Sequence, residues 1–305
     1  MATTEQRVRT VMEHPSRARG QTKRSPFRQH FGKVLLYLVA IITALAFSIP
    51  FLWTIASSLK SAAELHLFPP TFWPENIRWK NYSDVFTLVP FATFIWNTVI
   101  ITGFAMLGQI LSAAAVAYGF SRFRFPGRDA LFFLVLSTMM LPWQVTIVPT
   151  FLLFRYFGWI NTFWPLIVPS YFGGGAFYIF LLRQFFMTIP KDLDEAAKLD
   201  GASSVRIFWS IILPLAKAAV ATVAIFSFLQ HWNEFIGPLI FLNSTEKFTL
   251  SIGLRYFLDN PFESDEPREA ILMAASLIVA LPPLILFFTA QQYFVRGIVT
   301  TGLKG

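Results

Sequence analysis

Polar side chains in a pattern are scarce in this 305-residue chain, which is 55% hydrophobic and 14% charged, and two groups of them stand out. Gln230, Asn233, Glu234 and Gly237 fall at i, i+3, i+4 and i+7, a single stripe if the segment is helical. Trp232 and Phe235 flank it. Amide and carboxylate groups beside aromatic rings suit the passage of a sugar, offering partners for hydroxyls and a flat apolar surface for the pyranose face. The same stripe would equally serve to bond one membrane helix to another. The second group is the run IPKDLDEAAKLDGASSVRIFWSIILP, from Ile189 to Pro214, the longest polar-bearing insert in an otherwise apolar chain.

Covalent and metal chemistry find no residues to carry them. There is no cysteine, and His14, His30, His66 and His231 share no metal-ligand spacing. No G-x-x-x-x-G-K-[ST], H-E-x-x-H, G-x-S-x-G or G-x-G-x-x-G sequence occurs. No catalytic residue and no cofactor is therefore expected in this chain, and ATP has no recognisable site on it. The net charge of +8 does not point to nucleic acid. Eight of the 25 Lys and Arg lie in the first 33 residues, and most others flank apolar runs, where charge sets membrane topology.

The elements that position these groups follow from composition. A soluble domain carries about 25% charged residues. The deficit here, with 35 Phe and long uncharged runs, indicates an all-α integral membrane protein. Residues 34–295 read as six spans: 34–56, then one within each of 91–120, 130–154, 156–182, 215–242 and 270–295. The first apolar run is too long for a cleaved signal and reads as an anchor. Gly103, Gly108 and Ala113–Ala115 offer faces for close helix packing, and Asn97 and Gln109 are placed to bond across helices. Residues 1–33 form a basic tail, 57–90 and 243–270 loops on the opposite side, and 296–305 a C-terminal tail. Six spans put both termini on one side. Segments on that side carry 8, 3, 4 and 2 Lys and Arg, the opposite loops 3, 1 and 3, so both termini are expected in the cytoplasm. An ion-coupled carrier is poorly supported, because Glu234 is the lone intramembrane acid and no repeats are evident.

Within Ile189–Pro214, Pro190 followed by Asp192 and Asp194 is a helix-start signature, acids suiting the positive end of the dipole. Leu193, Ala196 and Ala197 give this helix a small apolar face, and Gly201 suits its stop. Ser203 or Ser204 can cap a second helix, whose Val205, Phe208, Trp209 and Ile212 make an apolar stripe before Pro214 separates it from the fifth span. The residues alone describe a helix–Gly–helix at the cytoplasmic face, either a docking element or an ordinary interfacial connector.

Glu195-Ala196-Ala197, Gly201, Ile211 and Leu213-Pro214 match the E-A-A-x3-G-x9-I-x-L-P motif of ABC-importer permeases at every fixed position. IPKDLDEAAKLDGAS, FLWTIASSLKSAAEL, FLLRQFF, WNEFIGPLIFL and the ending QQYFVRG…TGLKG resemble the carbohydrate branch, over nearly the whole chain beyond the first 30 residues. The sequence resembles the MalG-like permease subunit of maltose-type importers, which implies a type I ABC importer permease fold with a coupling helix. The resemblance implies that Glu195, Ala196, Ala197 and Gly201 enter a cleft on a separate ATPase, Glu195 facing a basic group there. Ile211, Leu213 and Pro214 would pass the movement into the fifth span as a rigid body. It further implies a second permease subunit, two ATPase subunits holding ATP and magnesium, an extracytoplasmic binding protein touched by loop 243–270, and membrane lipid. Gly302 and Lys304 would reach the ATPases, or form a frayed end. The implied cargo is a sugar or oligosaccharide moved past Gln230, Trp232, Asn233, Glu234 and Gly237, with a polyol-like solute such as glycerol phosphate as the alternative.

Overall fold

A computed structural model describes residues 26–259 and 268–302. The described residues form helices and no strand. The chain divides between Leu52 and Trp53 into two units. The described part of the first is the greater part of α1 (Pro26–Ser58), with apolar side chains exposed from Gly32 to Leu52. Pro50 lies inside α1 without ending it.

In the second unit follow α2 (Lys80–Leu88), α3 (Phe91–Arg122), α4 (Arg128–Ser137), α5 (Trp143–Tyr156), α6 (Ala176–Thr188), α7 (Asp192–Leu199), α8 (Lys217–Trp232), α9 (Ile236–Phe241), α10 (Leu250–Asp259) and α11 (Glu269–Gly302). Gly32–Ser58, Phe91–Arg122, Trp164–Thr188 and Glu269–Gln291 are long and apolar enough to cross a membrane; two sharply bent helix pairs raise the number to as many as six.

α3 is the axis of this unit. Its first turns place Phe91 and Phe94 in a core with Val85, Trp232, Leu250, Phe257 and Ala274. Its last turns place Ala113, Ala114, Ala117 and Tyr118 in a second core with Leu182, Phe186, Ile207, Ile212 and Val223. Small residues make the approach possible. A Cβ on Gly108 would lie 2.4 Å from the Tyr171 ring. Gly174, at φ +60°, brings its backbone so close that a Cβ would lie 2.4 Å from the Ala113 nitrogen. Only part of the expected small face is used: Gly103 and Ala115 point outward. Asn97 does bond away from its helix, its Nδ2 donating to the carbonyls of Glu246 (2.8 Å) and Phe248 (2.9 Å).

Several expected spans differ in detail. The third is two helices, Arg128–Met140 and Trp143–Tyr156, bent by 96°. Pro142 supplies no N–H and pushes Leu141 into extended backbone (φ −80°, ψ 114°), whereas Pro149 is accommodated inside α5. The fourth is shifted towards the C-terminus, to Trp164–Thr188, and is interrupted at residues 172–175, where Gly173, Gly174 and Gly175 all have positive φ. The sixth continues to Gly302, so most of the expected 296–305 tail is helical; Lys304 and residues 1–25 of the basic tail lie outside the described residues.

Candidate functional site

α7 begins where the acids predict, with Asp192, Asp194 and Glu195 in its first turn at the positive end of the helix dipole. It ends in a paired closure: the Ala202 N–H donates to the Ala197 carbonyl (2.9 Å) and the Gly201 N–H to that of Lys198 (3.0 Å). This closure needs a left-handed residue, and Gly201 has φ +79°. Ala197 and Ala202 pack against the core. The outer face is left free: Glu195 and Ala196 are exposed, Leu193 is too, and Leu199 is 90% exposed. An anion and small apolar side chains thus stand on a rigid turn, with the inner side anchored.

The anchor comes from α3. Arg122 Nε lies 3.3 Å from Asp194 Oδ2, the two side chains only 3% and 10% exposed. Arg122 Nη1 also donates to the Ile189 carbonyl (3.1 Å). One turn earlier, Tyr118 Oη donates to the Ser204 carbonyl (3.1 Å), and its ring lies 5.1 Å from that of Phe208. Two side chains at i and i+4 therefore grip both limbs of the insert. Sequence reasoning counted Arg122 as a topology charge and Asp194 as a helix-start acid. Only an Arg four residues after a Tyr at the end of an apolar helix hinted otherwise.

The second limb departs from expectation. Ser203 caps it, its Oγ accepting the Arg206 N–H (3.3 Å). A wide turn at Phe208–Ile212 then shifts the register, so the buried residues are Ile207, Phe208 and Ile212. The predicted stripe is corrected accordingly: Val205 (67%) and Trp209 (53%) are exposed. Ile211 and Leu213 are half-buried against the core. Pro214 does not separate the limb from α8. It sits in the first turn of Leu213–Leu215, where a missing N–H costs little. The chain bends by 81° after Leu215, at Ala216 (φ −91°, ψ 12°). The expected single rigid lever into α8 is thus angled, not straight.

The polar stripe is not on one helix. α8 stops at Trp232 and the chain leaves helical geometry before α9. Gln230 and Asn233 are exposed. Gln230 Oε1 accepts from Tyr178 Oη (2.8 Å), and Asn233 Nδ2 donates to the Leu229 carbonyl (2.8 Å). Glu234 Oε1 accepts the Gly237 N–H (2.9 Å), and a Cβ on Gly237 would lie 3.0 Å from Leu166. Glu234 and His231 line a cavity of about 20 Å³ with Thr98 and Thr249. Trp232 faces the other way. It is 4% exposed, stacks on Phe228 and donates its indole N–H to the Val279 carbonyl (3.1 Å), so its ring is committed to packing against α11. Gln109 bonds across helices as expected: its Oε1 accepts from Ser227 Oγ (2.6 Å) and lies 3.0 Å from His231 Nε2, partners that the sequence did not reveal.

Loop 243–270 contributes the helix α10 and a segment pinned by Asn161, whose Oδ1 accepts from the N–H groups of Asn243 (3.1 Å) and Ser244 (3.2 Å). Among the described residues no group of three His, Asp or Glu is placed to hold a metal. Gly302 ends α11.

Residues 109–300 match the family described as binding-protein-dependent transport system inner membrane component. The chain is similar to the diacetylchitobiose uptake system permease protein NgcG of Streptomyces coelicolor, 32% identical over 267 residues and 87% of each chain. It is similar to the sn-glycerol-3-phosphate transport system permease protein UgpE of Yersinia enterocolitica, 29% identical over 87% of this chain and 95% of that one. Among solved structures it resembles a chain of a bacterial ABC transporter involved in the import of the acidic polysaccharide alginate. The TM-score is 0.78 and the identity 26%, covering 89% of this chain and 99% of the other.

Proposed function

The chain belongs to the family of binding-protein-dependent transport system inner membrane components, multi-pass permease subunits of ABC importers, and we propose that it carries a sugar or oligosaccharide using energy received at Glu195–Gly201 from a separate ATPase. The observation that carries the coupling reading is the geometry of α7: an exposed face of Glu195, Ala196 and Leu199 on a turn anchored from behind by Arg122. Such a face fits a cleft, and Ala lets a partner backbone come close. The partners are a second permease, a pair of ATPase subunits with ATP and magnesium, and an external binding protein that meets the 243–259 region. Both termini face the cytoplasm, as the distribution of Lys and Arg favours.

For the path we propose Gln230, Asn233, Glu234 and Gly237, leaving Trp232 as packing. Gln230 and Asn233 are exposed polar groups within an apolar segment, which is costly against lipid and useful against a hydroxylated solute. Similarity to the diacetylchitobiose and alginate systems supports a saccharide; similarity to the glycerol-3-phosphate permease supports a polyol phosphate as the second reading. A thermal-shift screen of the cognate binding protein against sugars and glycerol 3-phosphate separates the two. In proteoliposomes holding the whole importer, Asn233→Ala with Glu234→Gln is expected to cut uptake about tenfold at unchanged assembly. Undiminished uptake would return these residues to a packing role.

A further inference from the structure

The coupling turn touches more than the limb that leads into α8. That limb contains a wide turn and an 81° bend before α8 begins. α3, by contrast, is one continuous helix of 32 residues that contacts the turn at its C-terminal end and the broken end of α8 near its middle. At the first end Arg122 holds Asp194 and the Ile189 carbonyl, and Tyr118 holds the Ser204 carbonyl. Thirteen residues earlier, about 20 Å along the helix at 1.5 Å per residue, Gln109 takes hydrogen bonds from Ser227 and His231. His231 stands two residues before Asn233, where α8 ends. Arg122 and Gln109 are both buried, so their polar contacts are strengthened by the low dielectric around them. Between them α3 runs through the packed core of Ala113, Ala114 and Ala117, which yields little to compression.

We propose that α3 is a second route by which movement of the coupling turn reaches the substrate path, with Arg122–Asp194 as its input and Gln109–His231/Ser227 as its output. Arg122, Asp194 and Gln109 are then positioning residues. They touch neither ATP nor cargo, yet they set how far a displacement of α7 is felt at Asn233 and Glu234. The route rests on the proposed docking of Glu195–Gly201 to an ATPase.

The test uses the complete importer in proteoliposomes and reads cargo moved per ATP hydrolysed. Arg122→Leu combined with Asp194→Leu removes both charges, so neither is left buried alone, and such replacements are commonly tolerated. The double variant is expected to assemble with the ATPases and to lose about tenfold in cargo per ATP. Arg122→Lys, which keeps the charge pair, is expected to stay within about threefold of wild type. Gln109→Leu is expected to reproduce the loss from the far end, and adding it to the double variant is expected to cost no more than about a further twofold. A ratio unchanged in assembled double variants would overturn the route; so would a loss confined to the amount of complex, or full multiplication of the two effects. If the double variant does not assemble, Gln109→Leu alone decides by the same ratio. Glu195→Lys separates the underlying reading: ATPases that still co-purify undiminished with that variant would refute docking, whatever Arg122 does.

Discussion

Gly201 and Asp194 constrain one short helix from different ends and for different reasons. Gly201 is fixed by backbone geometry alone, because a Cβ there would meet nothing within 4 Å. Gly201→Ala is therefore expected to cost about 1–2 kcal/mol, the left-handed penalty of an L-residue, and Gly201→Asn less. Asp194 is fixed by a partner. Asp194→Ala leaves Arg122 buried without its counter-charge, and is expected to cost about 3–5 kcal/mol. Thermal unfolding of the purified complex ranks the two: equal shifts would mean that the ion pair contributes little. The difference also explains what the sequence could reveal. Gly201 and the Ser203 cap are local features, legible from a few residues on either side. The Asp194–Arg122 contact joins the insert to the end of α3, far away in sequence, and a charge at a membrane boundary always has the simpler explanation of topology.

At the scale of elements, hydrophobic length gave six apolar stretches, a number reached when each of the two bent pairs is one span, and concealed where they break. Pro142 and Pro149 look equivalent in sequence, yet Leu141 adopts extended backbone before the first, and the second lies inside α5. The stop after Trp232 was hidden more completely. Gln230, Asn233, Glu234 and Gly237 fit a helical period, and the period persuades until the Glu234 carboxylate is seen to accept the Gly237 N–H in the first turn of α9. Packing along α3 gives a direct check. Gly103 faces open space, so Gly103→Ala is expected to stabilise by about 0.5–1 kcal/mol through helix propensity. Gly174→Ala puts a Cβ against the Ala113 backbone at positive φ, and is expected to abolish a well-folded product. Size-exclusion profiles and melting midpoints in detergent would show it; a benign Gly174→Ala would contradict the close approach of that loop to α3.

For the whole molecule, the family is that of a transport subunit, and the proposal is that it is moved from outside, at α7. Its orientation can be read by labelling, since the chain has no cysteine of its own. Leu199→Cys is expected to react with an impermeant maleimide only after permeabilisation, and Asn243→Cys in intact cells; the reverse pattern would invert the topology. Composition and charge were enough for the class, because solvation by lipid acts on the whole chain. Cargo was not legible, since the groups proposed for the path are few and suit many hydroxylated solutes. The central claim is that energy enters at the exposed face of α7. Ala196→Trp tests it most directly, because Ala196 is exposed and a larger side chain there disturbs no core. The account predicts that the variant keeps its melting midpoint while ATPase activity co-purifying with the chain falls about tenfold or more. Undiminished ATPase activity in the purified complex would contradict it.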